Sequence, residues 1–141
     1  MSETIRILLV EDNPGDADLT KETLEENRVH VAISVAVDGP QALDRLHRRP
    51  PYEREPLPDL ILLDLNLPKM SGRDVLANIK QDSVLRNIPV VVLTSSDAEQ
   101  DILKSYELGA NCYVTKPVGL EAFQAIVRTV DGFWLSVVKL P

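Results

Sequence analysis

The chain has a single cysteine, Cys112. No intrachain disulfide can form, and a reducing, cytoplasmic setting is the simple expectation. Positive charge is also scarce: 15 Lys and Arg stand against 22 Asp and Glu, for a net charge of −7. A nucleic-acid surface needs a basic stripe, so DNA and RNA are not expected partners. A divalent cation, or an anion bound at one local site, stays compatible with that balance. No apolar run approaches the roughly 20 residues that cross a bilayer, so no membrane partner is expected either. The first residues, Met1 to Ile5, are short and polar, without the h-region of a signal peptide. There is no internal repeat.

What is present suits one globular domain spanning residues 1–141. Hydrophobic residues make up 44% of the chain, enough for a real core. Four short runs rich in branched residues read as buried parallel strands: Ile5 to Val10, Leu60 to Leu63, Val90 to Leu93, and the weaker Cys112 to Val114. Val31 to Val37 alternates with Ala and Ser and reads as an edge strand. Helical patterns lie between. Asn13-Pro14 is a start signal, with Asn as cap and Pro in the first turn. Val75, Leu76 and Ile79 form one helical face. Phe123, Ile126, Val127, Val130, Trp134, Val137 and Val138 form the face of a last helix, with Gly132 inside it. Arg48 to Pro58, with prolines at 50, 51, 56 and 58, reads as a stiff, exposed loop. Alternating strands and helices imply an α/β fold: a doubly wound, five-stranded parallel sheet of flavodoxin-like order 2-1-3-4-5, with helices on both faces.

In that architecture ligands sit at the carboxyl ends of the strands. The first strand ends in Glu11-Asp12, the third in Asp64, the fourth in Thr94-Ser95-Ser96, and the fifth is followed by Lys116-Pro117. Three carboxylates brought together repel, and a hard divalent cation relieves that. Mg²⁺ prefers carboxylate oxygens and shares its shell with phosphate. Thr94 and Lys116 then suit phosphoryl oxygens, one as a hydroxyl donor and one as a mobile charge. Asp64 follows the central strand and is the candidate nucleophile, able to form an acyl phosphate. Glu11 and Asp12 would hold the metal.

Each residue taken alone has a plainer role. Glu11-Asp12 and Asp64 fit helix-capping or turn positions, Thr94 fits a local backbone hydrogen bond, and Lys116 fits a solvated lysine. Tyr113 suits a half-buried strand aromatic, and Cys112 a core residue. His30 and His47 fall away from the rim and read as surface residues. Convergence at one rim is what favours the chemical reading.

The motifs "LLVEDN", "PDLILLDLNLPKMSG", "IPVVVLTSS" and "GANCYVTKP", in that order, resemble the response-regulator receiver domain of two-component signalling over essentially the whole chain. The resemblance implies Asp64 as phosphoacceptor. Glu11, Asp12 and Asp64 would bind Mg²⁺, with the backbone carbonyl of Asn66. Thr94 and Lys116 would contact the phosphoryl group, the Lys116-Pro117 bond would be cis, and Tyr113 would be the aromatic switch that turns inward as Thr94 moves. Asn66 and Ser96 would flank the phosphoryl group. The donor would be a sensor histidine kinase, and the chemistry would stop at self-phosphorylation and self-dephosphorylation, so no metabolic enzyme is expected. The "EDNPGD" opening, the proline-rich insert and the "DGFWLSVVKLP" tail resemble the stand-alone regulators paired with bacterial phytochromes. That resemblance implies a receiver without an output domain and a homodimer to which Phe133-Trp134 contribute. Glu11 in place of Asp, Val118 after Pro117 and the long insert depart from the usual pattern without removing a chemical role.

Three rivals remain. A haloacid-dehalogenase-type phosphatase would carry a second Asp at position 66, where this chain has Asn. A receiver-like binding module acting without phosphorylation would typically have lost an acid. A flavodoxin would need a phosphate-cradling loop where "EDNPGD" places carboxylates.

Overall fold

A computed structural model describes residues 4–26, 31–96, 98–99, 109–119 and 121. The described elements are β1 (Ile5–Val10), α1 (Pro14–Glu26), β2 (Val31–Ala36), α2 (Gly39–Leu46), β3 (Leu60–Asp64), α3 (Gly72–Gln81), β4 (Val90–Thr94) and β5 (Cys112–Thr115), with a 3₁₀ turn at Leu85–Asn87. The strands form one parallel sheet in the order β2-β1-β3-β4-β5, the architecture expected from the alternation of patterns. The helical pattern from Phe123 to Val138 lies outside the described residues, as does His30.

Strands without polar alternation are those covered on both faces. Ile5, Ile7 and Leu9 of β1 join Leu60, Leu62, Val91, Leu93 and Val114 in one layer, closed by Ala17 and Leu24 of α1. Leu8 and Val10 join Ile61, Leu63, Val90 and Val92 in the other, against Leu43 and Leu46 of α2 and Val75, Leu76 and Ile79 of α3. β3 and β4 are buried along their whole length. The sparse apolar pattern of α1 proves sufficient because Ala17, Thr20 and Leu24 fall on one side and are all buried.

Local chemistry fixes where each helix starts. Asn13 Oδ1 accepts the Asp16 N–H at 2.9 Å. Asp38 caps α2 by accepting the Gln41 N–H at 2.8 Å, and Ser71 caps α3 by accepting the Asp74 N–H at 3.2 Å. These caps stand just past the carboxyl ends of β1, β2 and β3, so the same rim gathers strand ends and helix starts.

The Arg48–Pro58 insert is largely exposed, as its composition suggests, but it is fastened at a few points. The Arg45 guanidinium lies 4.5 Å from the centre of the Tyr52 ring and donates to Glu55 at 2.6 Å, and Leu57 packs against the α2–α3 layer. A cation held over an aromatic face and bonded to a carboxylate folds this loop back onto α2.

The turn after β3 is tightest at Gly72. Its N–H donates to the Leu65 carbonyl at 3.0 Å. A Cβ there would lie 2.5 Å from the Asp64 carbonyl oxygen and from Leu65 Cα, which are backbone atoms without room to yield. Gly72→Ala is expected to destabilise the fold by about 1–3 kcal/mol, the usual cost of overpacking. Urea denaturation with an unchanged m-value checks this, and an unaltered midpoint would show that the turn relaxes freely.

Candidate functional site

Parallel register brings the acids together. β1 pairs with β3 so that Val10 stands beside Leu63, and one further step puts Glu11 beside Asp64. β3 continues level with β4, Asp64 beside Leu93, and Leu93 beside Val114 of β5. Lys116 follows two residues later, its N–H held by the Thr94 carbonyl at 2.8 Å. The Lys116-Pro117 bond is cis.

The ammonium of Lys116 is the meeting point. Its Nζ lies 2.9 Å from Asp64 Oδ2, 3.1 Å from Glu11 Oε1 and 3.1 Å from Asp16 Oδ2. Burial alone would lower the lysine's pKa, but hydrogen bonds to Asp64, Asp16 and Glu11 outweigh it and hold the ammonium above the usual lysine range. Glu11 is the innermost acid, with a side chain 0% exposed. Its backbone N–H donates to Ala36, and its Oε2 accepts the Asn13 N–H at 3.3 Å. Burial pushes the Glu11 carboxyl up to about 7, and the Asp64 carboxyl beside it adds to the rise against the opposing pull of Lys116.

One carboxylate oxygen from each of Glu11, Asp12 and Asp64 lies within 4.8 Å of the others, with Asp12 exposed and the other two buried. Hard oxygen donors at that spacing, one facing water, fit a divalent cation that keeps part of its hydration shell. Asp64 Oδ1 accepts the Asn66 N–H at 3.0 Å, so the carboxylate is oriented from both sides.

Of the residues read from sequence, Glu11, Asp12, Asp64 and Lys116 converge. Asn66 reaches the cluster through its backbone. Thr94 is fully buried at the same rim, but its hydroxyl faces β5, 3.2 Å from the Val114 carbonyl, 3.3 Å from that of Ser96 and 3.4 Å from Thr115 Oγ1. Its strand ends at the expected rim, while its hydroxyl makes one local bond, to Ser96, and two contacts across to β5. Tyr113 is half-buried and packs against the α2–α3 layer. Cys112 is half-buried and packs on the opposite layer. His47 lies away from the rim, 2.9 Å from Asn78 Oδ1. Sequence reasoning missed Asp16. The signal was an acid in the first turn of a helix that begins at the rim.

The chain matches the response regulator receiver domain over residues 7–128. It belongs to that family. The receiver is 47% identical to response regulator Rcp1 of Synechocystis sp. over 135 residues, 96% of this chain and 92% of that protein. Among solved structures it is similar to the bacteriophytochrome response regulator AtBRR, with a TM-score of 0.85 and 43% identity over 99% of this chain and 97% of that one. It is also similar to the phosphorylated cyanobacterial phytochrome response regulator RcpA, with a TM-score of 0.78 and 47% identity over 99% of each chain. A Mn²⁺-bound form of Rcp1 matches with a TM-score of 0.76 and 47% identity over 97% of this chain and 99% of that one. The receiver is a response regulator, a signalling phosphoacceptor in kind, and its acidic triad is of the sort that holds a divalent metal. No helix among the described residues is long and apolar enough to cross a membrane.

Glu11 gives the site a pH dependence of definite sign. Its folded pKa is raised, so its contribution to stability is present at low pH and is lost as pH rises from about 4.5 through about 7. A cation binding the carboxylate must displace that proton. Divalent-cation affinity should therefore increase up to about pH 7 and then level off, with proton release below that point. Titration calorimetry in buffers of differing ionisation enthalpy reads the released proton. Glu11→Gln should weaken binding and flatten the pH profile.

Proposed function

We propose that this receiver takes a phosphoryl group on Asp64 from a phosphohistidine of a sensor histidine kinase of the phytochrome type, in a Mg²⁺-dependent reaction. The observation that carries the proposal is the Asp64 carboxylate, held between the Lys116 ammonium at 2.9 Å and the Asn66 N–H at 3.0 Å, with Glu11 and Asp12 beside it. A carboxylate gripped at both oxygens presents a fixed nucleophile, and most of the catalysis then lies in position and charge.

Glu11, Asp12, Asp64 and the Asn66 backbone carbonyl would hold the cation. Mg²⁺ bound there would offset the negative charge shared by the carboxylates and the incoming phosphoryl group. An Asp64 oxygen forms the new P–O bond as the P–N bond to the kinase histidine breaks. Lys116 then turns one N–H to a phosphoryl oxygen. Thr94 gives up the Val114 carbonyl and donates to another, and Tyr113 turns inward to fill the space left beside β5. Asn66 and Ser96 flank the product and govern the approach of the hydrolytic water. The altered face around β5 is what partners read. Water attack on the acyl phosphate returns Asp64 to the carboxylate.

The kinase assignment is supported by the likeness to regulators whose names tie them to phytochromes. In this reading residues 1–141 act as one receiver domain in the cytoplasm. A homodimer using Phe133-Trp134 belongs to the same reading, supported by the apolar helical spacing of residues 123–138.

Incubation with Mg²⁺ and acetyl phosphate should add one phosphoryl group, read as intact mass. The gain should vanish in Asp64→Asn and on chelation. Transfer from an autophosphorylated phytochrome kinase should be faster than from acetyl phosphate. A mass gain that persists in Asp64→Asn would move the acceptor elsewhere.

A further inference from the structure

Lys116 has three N–H donors, and three carboxylates stand at bonding distance: Glu11, Asp16 and Asp64. If Asp64 carries a phosphoryl group, as proposed above, the ammonium needs a donor for a phosphoryl oxygen, so one existing bond has to give. The three partners are not equivalent. Glu11 is wholly buried, its side chain 0% exposed, and it belongs to the cation triad. Asp64 carries the reacting group itself. The Asp16 side chain is 38% exposed and lies outside the triad. Water can solvate it on release at little cost.

Asp16 is also fixed where it stands. Its N–H is bonded by Asn13 Oδ1 at 2.9 Å in the first turn of α1, and a carboxylate is favoured at a helix amino end. Its own carboxylate therefore bridges α1 to the segment after β5. We propose that Asp16 is a positioning residue that competes with the phosphoryl group for Lys116, and so sets the rate and extent of Asp64 phosphorylation. The Asp16–Lys116 bond stabilises the unphosphorylated receiver and must be given up, or shared, as the phosphoryl group arrives. This rests on the Asp64 reading given above.

The test compares wild type with Asp16→Asn and Asp16→Glu. Phosphorylation by acetyl phosphate at saturating Mg²⁺ is followed as intact mass, with the Mg²⁺ half-saturation and the melting temperature measured alongside. Asp16→Asn should phosphorylate about fivefold faster and reach a higher steady-state fraction, the scale expected for losing one partly exposed ion pair. The Mg²⁺ half-saturation should stay within about twofold, because Asp16 is outside the triad. Asp16→Glu, which keeps the charge, should restore a rate near wild type.

A control variant, Asp18→Asn, separates competition from simple repulsion of the anionic donor, because Asp18 is an exposed acid of the same helix while the acids bonded to Lys116 are Glu11, Asp16 and Asp64. Competition for Lys116 predicts a faster rate in Asp16→Asn alone, and an equal gain in Asp18→Asn overturns the inference. It is equally overturned if Asp16→Asn phosphorylates at the wild-type rate, or more slowly. A wild type that takes up no phosphoryl group overturns the Asp64 reading first, and this inference with it.

Discussion

Lys116 stands 2.9 Å from Asp64 and 3.1 Å from Glu11 and Asp16, and that ammonium is what allows acids so close together in a largely buried place. Burying a carboxylate costs several kcal/mol unless charge and hydrogen bonds answer it. Here one cation answers three acids, while backbone N–H groups of Asn13 and Asn66 take up further oxygens. The balance is incomplete, because Glu11 still favours its proton more than an ordinary glutamate does. Burial is the larger cause and the neighbouring Asp64 carboxyl adds to it, and a divalent cation placed among the three acids would offset both. A site fully neutralised by lysines would have no use for a metal.

The sheet makes this arrangement possible. Parallel strands all end at one rim, so residues separated by 52 and 105 positions in the chain arrive together. Buried strands with no polar alternation carry the sheet right up to the rim where the acids stand. Asp64 and Thr94 are still strand residues, one position later than the apolar runs alone had marked. Their backbones are held by the ladder, so movement at the site falls to side chains and to the loops that follow. The short turn from Asp64 to Gly72 adds a second restraint by pressing backbone against backbone.

Most of the fold and the acidic cluster were legible because they rest on short-range patterns. Branched apolar runs mark buried strands, and acids placed immediately after them can have only one destination in a parallel sheet. Asp16 was not legible in the same way. An acid in the first turn of a helix already has a sufficient explanation in the helix's own electrostatics, and nothing nearby in sequence points to a lysine 100 positions away. The folded-back insert escaped for a related reason. Prolines and charges suggest an exposed loop, which most of it is, and only the spatial stacking of Arg45 on Tyr52, with Glu55 completing the contact, reveals where it is fastened. The direction of the Thr94 hydroxyl was likewise beyond the reach of sequence, since an acceptor on β5 and one across the rim suit the same residue type.

The Arg45 clasp has an architectural consequence. The insert leaves the last turn of α2 and feeds β3 at its amino end, whereas the acids lie past the carboxyl ends of the strands. Loops at the two ends of a parallel sheet therefore answer to separate demands. At one end a single added methyl group meets backbone atoms; at the other, a longer connection is accommodated by being fastened to the surface of its own helix. Such a domain can diversify along one pole and stay chemically conservative at the other. A lineage of regulators could in that way acquire distinct outlines around an unchanged reaction.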